Sequence, residues 1–157
     1  MNRLVLVVLL MLYLGKAMAC SCAFHEGTLE EAVMDAYQGA VVVVLATAER
    51  IERLEPREGD AWNQELGAHR RTYHDRQKTH FVTKQTWKGD HGPTFTTDIV
   101  TACCLCGYVF REGQTYLLYL YGPNEDGYFS TSTCSRTKIA SDDIDKELEI
   151  LDLIHQK

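Results

Sequence analysis

The chain has 157 residues, 45% of them hydrophobic and 24% charged, with a formal net charge of −6. That length fits one domain with a real core, and the acidity argues against a polyanionic partner such as nucleic acid. The first 19 residues read as a secretory signal peptide, with Asn2-Arg3 as basic start, an apolar core from Leu4 to Leu14, and a small-residue exit at Ala17-Met18-Ala19. The apolar run is shorter than the roughly 20 residues a spanning helix needs, and no later segment is apolar for long enough, so no transmembrane segment is expected. Cleavage after Ala19 leaves residues 20–157 as one domain with a net charge of −8, located outside the cell or in the periplasm. Cys20 then becomes the first residue. Its α-amine, which titrates at about 7.7–8.0 in model peptides, lies beside a carbonyl oxygen, and the two form a five-membered chelate for a metal ion. A lipid anchor on Cys20 is the competing reading, because bacterial lipoproteins are also cut before cysteine. Against it, Ala17 stands where such signals carry Leu.

Thr28-Leu29-Glu30-Glu31 reads as a capping box, and Leu29, Ala32, Val33 and Ala36 continue at helical spacing until Gly39 ends the run. Ala40 to Ala48 is apolar and rich in β-branched residues almost without break, which predicts a central strand buried on both faces. Residues 51–78 are charged and irregular, with Pro56, Gly59 and Gly67 as breakers, and read as a long functional or disordered loop. Strand patterns return at about His80 to Trp87, Thr94 to Thr101, Thr115 to Tyr121 and Tyr128 to Thr133. Turn residues at Lys88-Gly89-Asp90, Glu112-Gly113 and 122–127 separate them. Five strands of this kind predict a mainly β protein, a small barrel or sandwich. Ser141 reads as the N-cap of an amphipathic C-terminal helix that presents Ile144, Leu148, Leu151 and Ile154 on one face.

All six cysteines follow the leader, and export makes disulfides their default state. Cys20 and Cys22, two apart in an extended chain, share a side, so each wants a distant partner among Cys103, Cys104, Cys106 and Cys134. Six cysteines allow fifteen pairings, and spacing alone does not choose among them. Cys103-x-x-Cys106 has the spacing of a soft-metal or redox site but lacks the βαβ surroundings of a redox motif. His69, His74 and His80 match no ligand motif on one helix or hairpin and read as a solvated loop, as does Arg70-Arg71. Trp62 reads as folded back over the barrel or turned to a partner, and Trp87, Tyr116, Tyr119 and Tyr121 as packing. No Ser-His-Asp set, phosphate loop or carboxylate pair stands out, so catalysis is not expected.

Cys20-Ser21-Cys22 behind a leader, a Val-rich first strand, Thr86-Trp87-Lys88-Gly89, Cys106-Gly107-Tyr108 and Thr131-Ser132-Thr133-Cys134-Ser135 together resemble the inhibitory N-terminal domain of the tissue inhibitors of metalloproteinases. The resemblance implies a netrin-like fold, an OB-type five-stranded barrel flanked by helices. It also implies the bonds Cys20–Cys106 and Cys22–Cys134, and chelation by Cys20 of the catalytic zinc of a target metalloprotease while Ser21 enters the specificity pocket. The zinc would belong to the target, leaving the chain with no cofactor of its own. The family's third disulfide is missing, since no cysteine lies between Cys22 and Cys103, and Ala23-Phe24-His25 replaces a Pro-containing segment. These departures point to a distant relative, a bacterial one included, rather than to a true vertebrate-type inhibitor. The rival reading is a non-inhibitory extracellular or envelope interaction module whose disulfides are purely structural.

Overall fold

A computed structural model describes residues 22, 27–65, 67–102, 105–141 and 144–156. Its elements in chain order are helix α1 (Leu29–Gly39), strands β1 (Val42–Asn63), β2 (Gly67–Lys88), β3 (Thr94–Val100), β4 (Thr115–Leu120) and β5 (Lys138–Ile139), and helix α2 (Asp145–His155). The protein is thus mainly β, with a five-stranded antiparallel sheet in the order β3-β2-β1-β4-β5.

The first strand has both faces buried over Val42–Ala48, as the composition of that stretch requires. Val42, Val44, Ala46 and Ala48 enter one core with Phe81, Phe95, Phe110, Tyr116 and Leu118. Val43 and Leu45 face the opposite way, into a second core with Val33, Trp87, Leu117, Tyr119 and Leu151, where the two helices cover the sheet. At about 1.5–3 kcal/mol for each large apolar side chain buried, these two layers are the main source of stability. The capping box at Thr28 forms as the sequence predicts, with Glu31 N–H on the Thr28 hydroxyl and the Glu31 carboxylate on the Thr28 amide at 2.8 Å.

The Thr86-Trp87-Lys88-Gly89 segment joins the helices to the sheet. The Trp87 indole donates to Asp152 of α2 at 2.6 Å, and its carbonyl accepts from the Tyr37 hydroxyl of α1 at 3.0 Å. Helix α1 has no basic residue in its last turn; Lys88 supplies the missing cation, donating to the Tyr37 and Gln38 carbonyls at 2.7 and 3.0 Å. Gly89, at φ 82°, lies against the Val41 carbonyl, so a Cβ there would collide with backbone as well as sit in the left-handed region.

Several sequence expectations need correction. Residues 51–78 are no loop: β1 and β2 pair throughout, from Leu54↔Arg76 out to Asn63↔Gly67, as a projecting two-stranded arm. Pro56 falls where β4 no longer pairs with β1, which ends at Thr47, so the outer part of β1 is an edge strand, the setting in which a proline is tolerated. Trp62 sits near the arm's tip, 74% exposed, and does not fold back over the body. Tyr121 is 37% exposed rather than packed. Helix α2 is capped by Ile144 with no side-chain hydrogen bond; Ser141 lies three residues too early. The expected strand over Tyr128–Thr133 reduces to single bridges, Phe129 to Thr97 in parallel, Ser130 to Tyr121 and Ser132 to Gly107 antiparallel, so the named strands form an open sheet.

Candidate functional site

Three of the predicted site residues, Cys22, Cys106 and Cys134, meet at one turn. Cys22 is bonded to Cys134, with Cα atoms 5.1 Å apart. Cys134 lies in the tight turn after Ser132, where its N–H reaches the Ser132 hydroxyl at 3.2 Å and Ser135 N–H reaches the Ser132 carbonyl at 3.2 Å. Buried hydroxyls hold this turn to β4: Thr131 donates to the Tyr119 carbonyl at 2.9 Å, and Tyr119 N–H donates to the Thr137 hydroxyl at 3.0 Å. The Thr131 and Thr137 oxygens lie 2.8 Å apart. A run of Thr and Ser therefore serves as internal bonding, and the Thr-Ser-Thr-Cys-Ser pattern is a brace for the disulfide.

The Cys106-Gly107-Tyr108 segment runs beside this turn. Thr133 N–H donates to the Cys106 carbonyl at 2.8 Å, and Gly107 bridges Ser132. Cys106 is itself disulfide-bonded, to a residue outside the described set, and adopts a left-handed φ of 55°. A Cβ at Gly107 would overlap the Val100 carbonyl oxygen, so only glycine lets the Cys106 segment lie this close to the end of β3. Further on, Gln77 clamps Phe110 by a reciprocal pair, donating to its carbonyl at 3.2 Å and accepting from its N–H at 2.9 Å. Tyr108 packs on Phe110 and Tyr116. Three apolar side chains stay outside around this segment: Val100, and Leu105 and Val109, each of the latter two 60% exposed.

Cys20 and Ser21, expected to carry the chelate and the pocket contact, lie outside the described residues, as do Cys103 and Cys104. Among the described residues no group of three or more His, Cys, Asp or Glu side chains is arranged to hold a metal ion. The three histidines are spread along β2. His69 Nδ1 lies 3.1 Å from the Gly67 carbonyl, whereas His80 joins Glu52, Arg50 and Thr96 at 2.8–3.0 Å. The His80 hydrogen bond is the largest of the effects that hold the Glu52 carboxyl below its ordinary range. No helix among the described residues is long and apolar enough to cross a membrane.

From the sequence, Arg70-Arg71 reads as a solvated face, and Arg53 and Arg76 carry no signal of their own. Arg53, Arg71 and Arg76 line one concavity on β1 and β2, although the charged composition of 51–78 had disguised both strands as loop. Thr72, Tyr73, Thr79 and Phe81 on the return strand, with Gly67 at φ 64° in the turn, were the available hairpin signal. No protein-family model and no curated protein matches the chain.

Proposed function

We propose that the chain is exported, cleaved before Cys20, and inhibits a zinc metalloendopeptidase by presenting the Cys20 amine and carbonyl to the catalytic zinc of its target. A catalytic zinc keeps three protein ligands and one exchangeable water; a rigid amine-carbonyl pair can replace that water without offering a scissile bond. The observation that carries this reading is the Cys22–Cys134 bond, which ties the residue two positions after the expected new N-terminus to the turn beside the disulfide-bonded Cys106. In this proposal Cys106 is bonded to Cys20, Ser21 points into the specificity pocket, and the exposed Val100, Leu105 and Val109 form an apolar collar for the target surface.

The same reading makes the domain a distant netrin-like relative of the tissue inhibitors of metalloproteinases. Phe129 N–H donates to the Thr96 carbonyl and the Phe129 carbonyl accepts from Asp98 N–H, at 3.0 and 2.9 Å. Together with the Ser130–Tyr121 bridge, this supports an OB-type barrel in which the 128–133 segment spans the gap between β3 and β4.

The test is to establish the mature N-terminus by intact mass and then assay the protein against a panel of zinc endopeptidases. One alanine added before Cys20 should lower affinity by several orders of magnitude, each tenfold loss corresponding to about 1.4 kcal/mol. Equal inhibition by the extended protein, or none at all by protein with a proven free Cys20, would replace chelation by the interaction-module reading.

A further inference from the structure

A polar cluster sits at the root of the arm, outside the cysteine site. His80 of β2 faces Arg50 of β1 directly across the ladder. Its Nδ1 lies 3.0 Å from the Thr96 hydroxyl of β3, and its Nε2 lies 2.8 Å from Arg50 Nη2 and 3.0 Å from Glu52 Oε1. Arg50 Nη1 reaches that same Glu52 oxygen at 2.8 Å. Lys78 of β2 and Asp98 of β3, 3.9 Å apart, continue the charged face.

The contacts at His80 do not all form hydrogen bonds in one protonation state. A guanidinium only donates and a carboxylate only accepts, so Arg50 needs a lone pair on Nε2 whereas Glu52 needs a proton there. The shorter contact is with Arg50, which places the proton of the neutral ring on Nδ1, donating to Thr96. Arg50 then forks between the ring and Glu52. Imidazole is the side chain whose charge ordinarily changes between about pH 5 and 8. A second proton makes both ring nitrogens donors and sets two cations against each other, so Nε2–H turns to Glu52 and Arg50 must leave. Glu52 does not take the proton instead, because the His80 bond before all else holds its carboxyl below the ordinary range.

A place for the displaced cation lies alongside. A concavity of about 610 Å³ is lined by Arg50, His80 and Thr96 together with Glu49 and Glu112. Glu49 is the extra residue of a bulge, unpaired where the register shifts between Ala48↔Phe81 and Arg50↔His80. Glu112 is brought to the same wall by its turn, in which Gly113 N–H donates to the Ala48 carbonyl at 2.7 Å and the Gln114 carbonyl accepts from Ala48 N–H at 2.9 Å. Both carboxylates are exposed, and neither has an ion pair or side-chain hydrogen bond among the described residues.

We propose that His80 is a proton switch: neutral, it holds Arg50 against Glu52; protonated, it takes Glu52 itself and sends Arg50 into the concavity, toward Glu49 and Glu112. The only bond formed is N–H, to a proton taken from solvent. A contact within β1 is thereby exchanged for one between β1 and β2 at the root of the arm, and the concavity fills as pH falls. The device is independent of the proposed chelate and is tested without any protease.

The experiment uses the full mature chain, isotope-labelled, read by NMR at about pH 8 and about pH 5. At the higher pH the His80 ring should carry its proton on Nδ1 with Nε2 bare, and the Arg50 guanidinium protons should show a nuclear Overhauser contact to the ring. At the lower pH both ring nitrogens should be protonated, and contacts from Arg50 to the Glu49 or Glu112 methylenes should replace the contact to the ring. The pH of the change should rise in R50Q, which removes the competing cation, and fall in E52Q, which removes the acceptor of the charged ring. A neutral ring protonated on Nε2, an Arg50 contact to the ring that survives at the lower pH, or an Arg50 that leaves the ring for bulk solvent would each overturn the switch. These three readings come from the parent protein and stand even where a variant fails to fold. A pH of change that is the same in R50Q, E52Q and the parent would overturn it as well.

Discussion

Glu147 is the most heavily engaged charge in the molecule's second layer. It is buried, accepts from the Tyr119 hydroxyl at 2.8 Å and from Arg136 at 2.9 and 2.8 Å, and pairs with Lys138. Burial pushes its carboxyl upward, but the hydrogen bonds from Arg136, Lys138 and Tyr119 outweigh that, and the net shift is downward from 4.5. The same carboxylate, after burial, raises the Tyr119 hydroxyl. A depressed folded value means stability that is present above about pH 4.5 and lost as pH falls through the folded pKa. Replacing Glu147 with Gln should therefore cost about 3 kcal/mol at pH 7, the low end of the range for breaking a buried ion pair, because Arg136 and Lys138 keep some solvent. The difference from the parent should shrink below pH 4 in urea titrations; a constant difference across pH 3–7 would show that packing, and not charge, is at stake. Gly107 is a second sharp position. G107A must displace either Val100 or Cys106, and we expect a loss of about 2 kcal/mol or more in melting experiments, whereas G39A, with open space around it and no left-handed φ, should lose less. The need for glycine in Cys-Gly-Tyr was legible as a motif, yet its cause, the approach of the end of β3, belongs to tertiary structure and left no local trace.

At the scale of elements, the central strand and first helix were readable because each obeys a single rule: continuous β-branched apolar residues, or a capping box followed by helical spacing. The arm was not, because the usual strand signal is burial, and no described residue from Glu49 to Arg76 is buried. Its stability comes from ladder bonds and cross-strand pairs such as Arg57 with Asp75 at 3.1 Å and Thr72 with Glu58 at 2.5 Å, which composition alone reports as loop. An arm that buries so little should be dispensable to the body. Excising residues 57–73 and joining Pro56 to His74 through Asn-Gly, a two-residue hairpin turn, should leave the melting temperature within about 5 °C of the parent. Loss of cooperative unfolding in that deletion would mean that the arm supports the sheet in a way its exposure does not suggest.

For the whole molecule, the decisive relation is between the N-terminal segment and the two-layered body. The body has its own reasons to fold: two cores on opposite faces of β1 and β4, helices tied down at Trp87, and a hydroxyl brace holding the Thr131–Thr137 turn to β4 without help from sulfur. The Cys22–Cys134 bond, spanning 112 residues of sequence, acts on the rest. By loop-closure entropy, a crosslink of this length is worth about 3–5 kcal/mol through its restriction of the unfolded chain. The double variant C22S/C134S should lose stability of that order, on the order of 10 °C in melting temperature for a domain of this size. Because the brace is independent of the sulfur, amide protection at Tyr119 and Thr133 should persist, while the segment between residue 22 and α1 should become susceptible to limited proteolysis. If protection at Tyr119 and Thr133 collapses together with the N-terminal segment, the disulfide organises the turn rather than merely anchoring the chain to it, and the N-terminus and the body must then be treated as one cooperative unit.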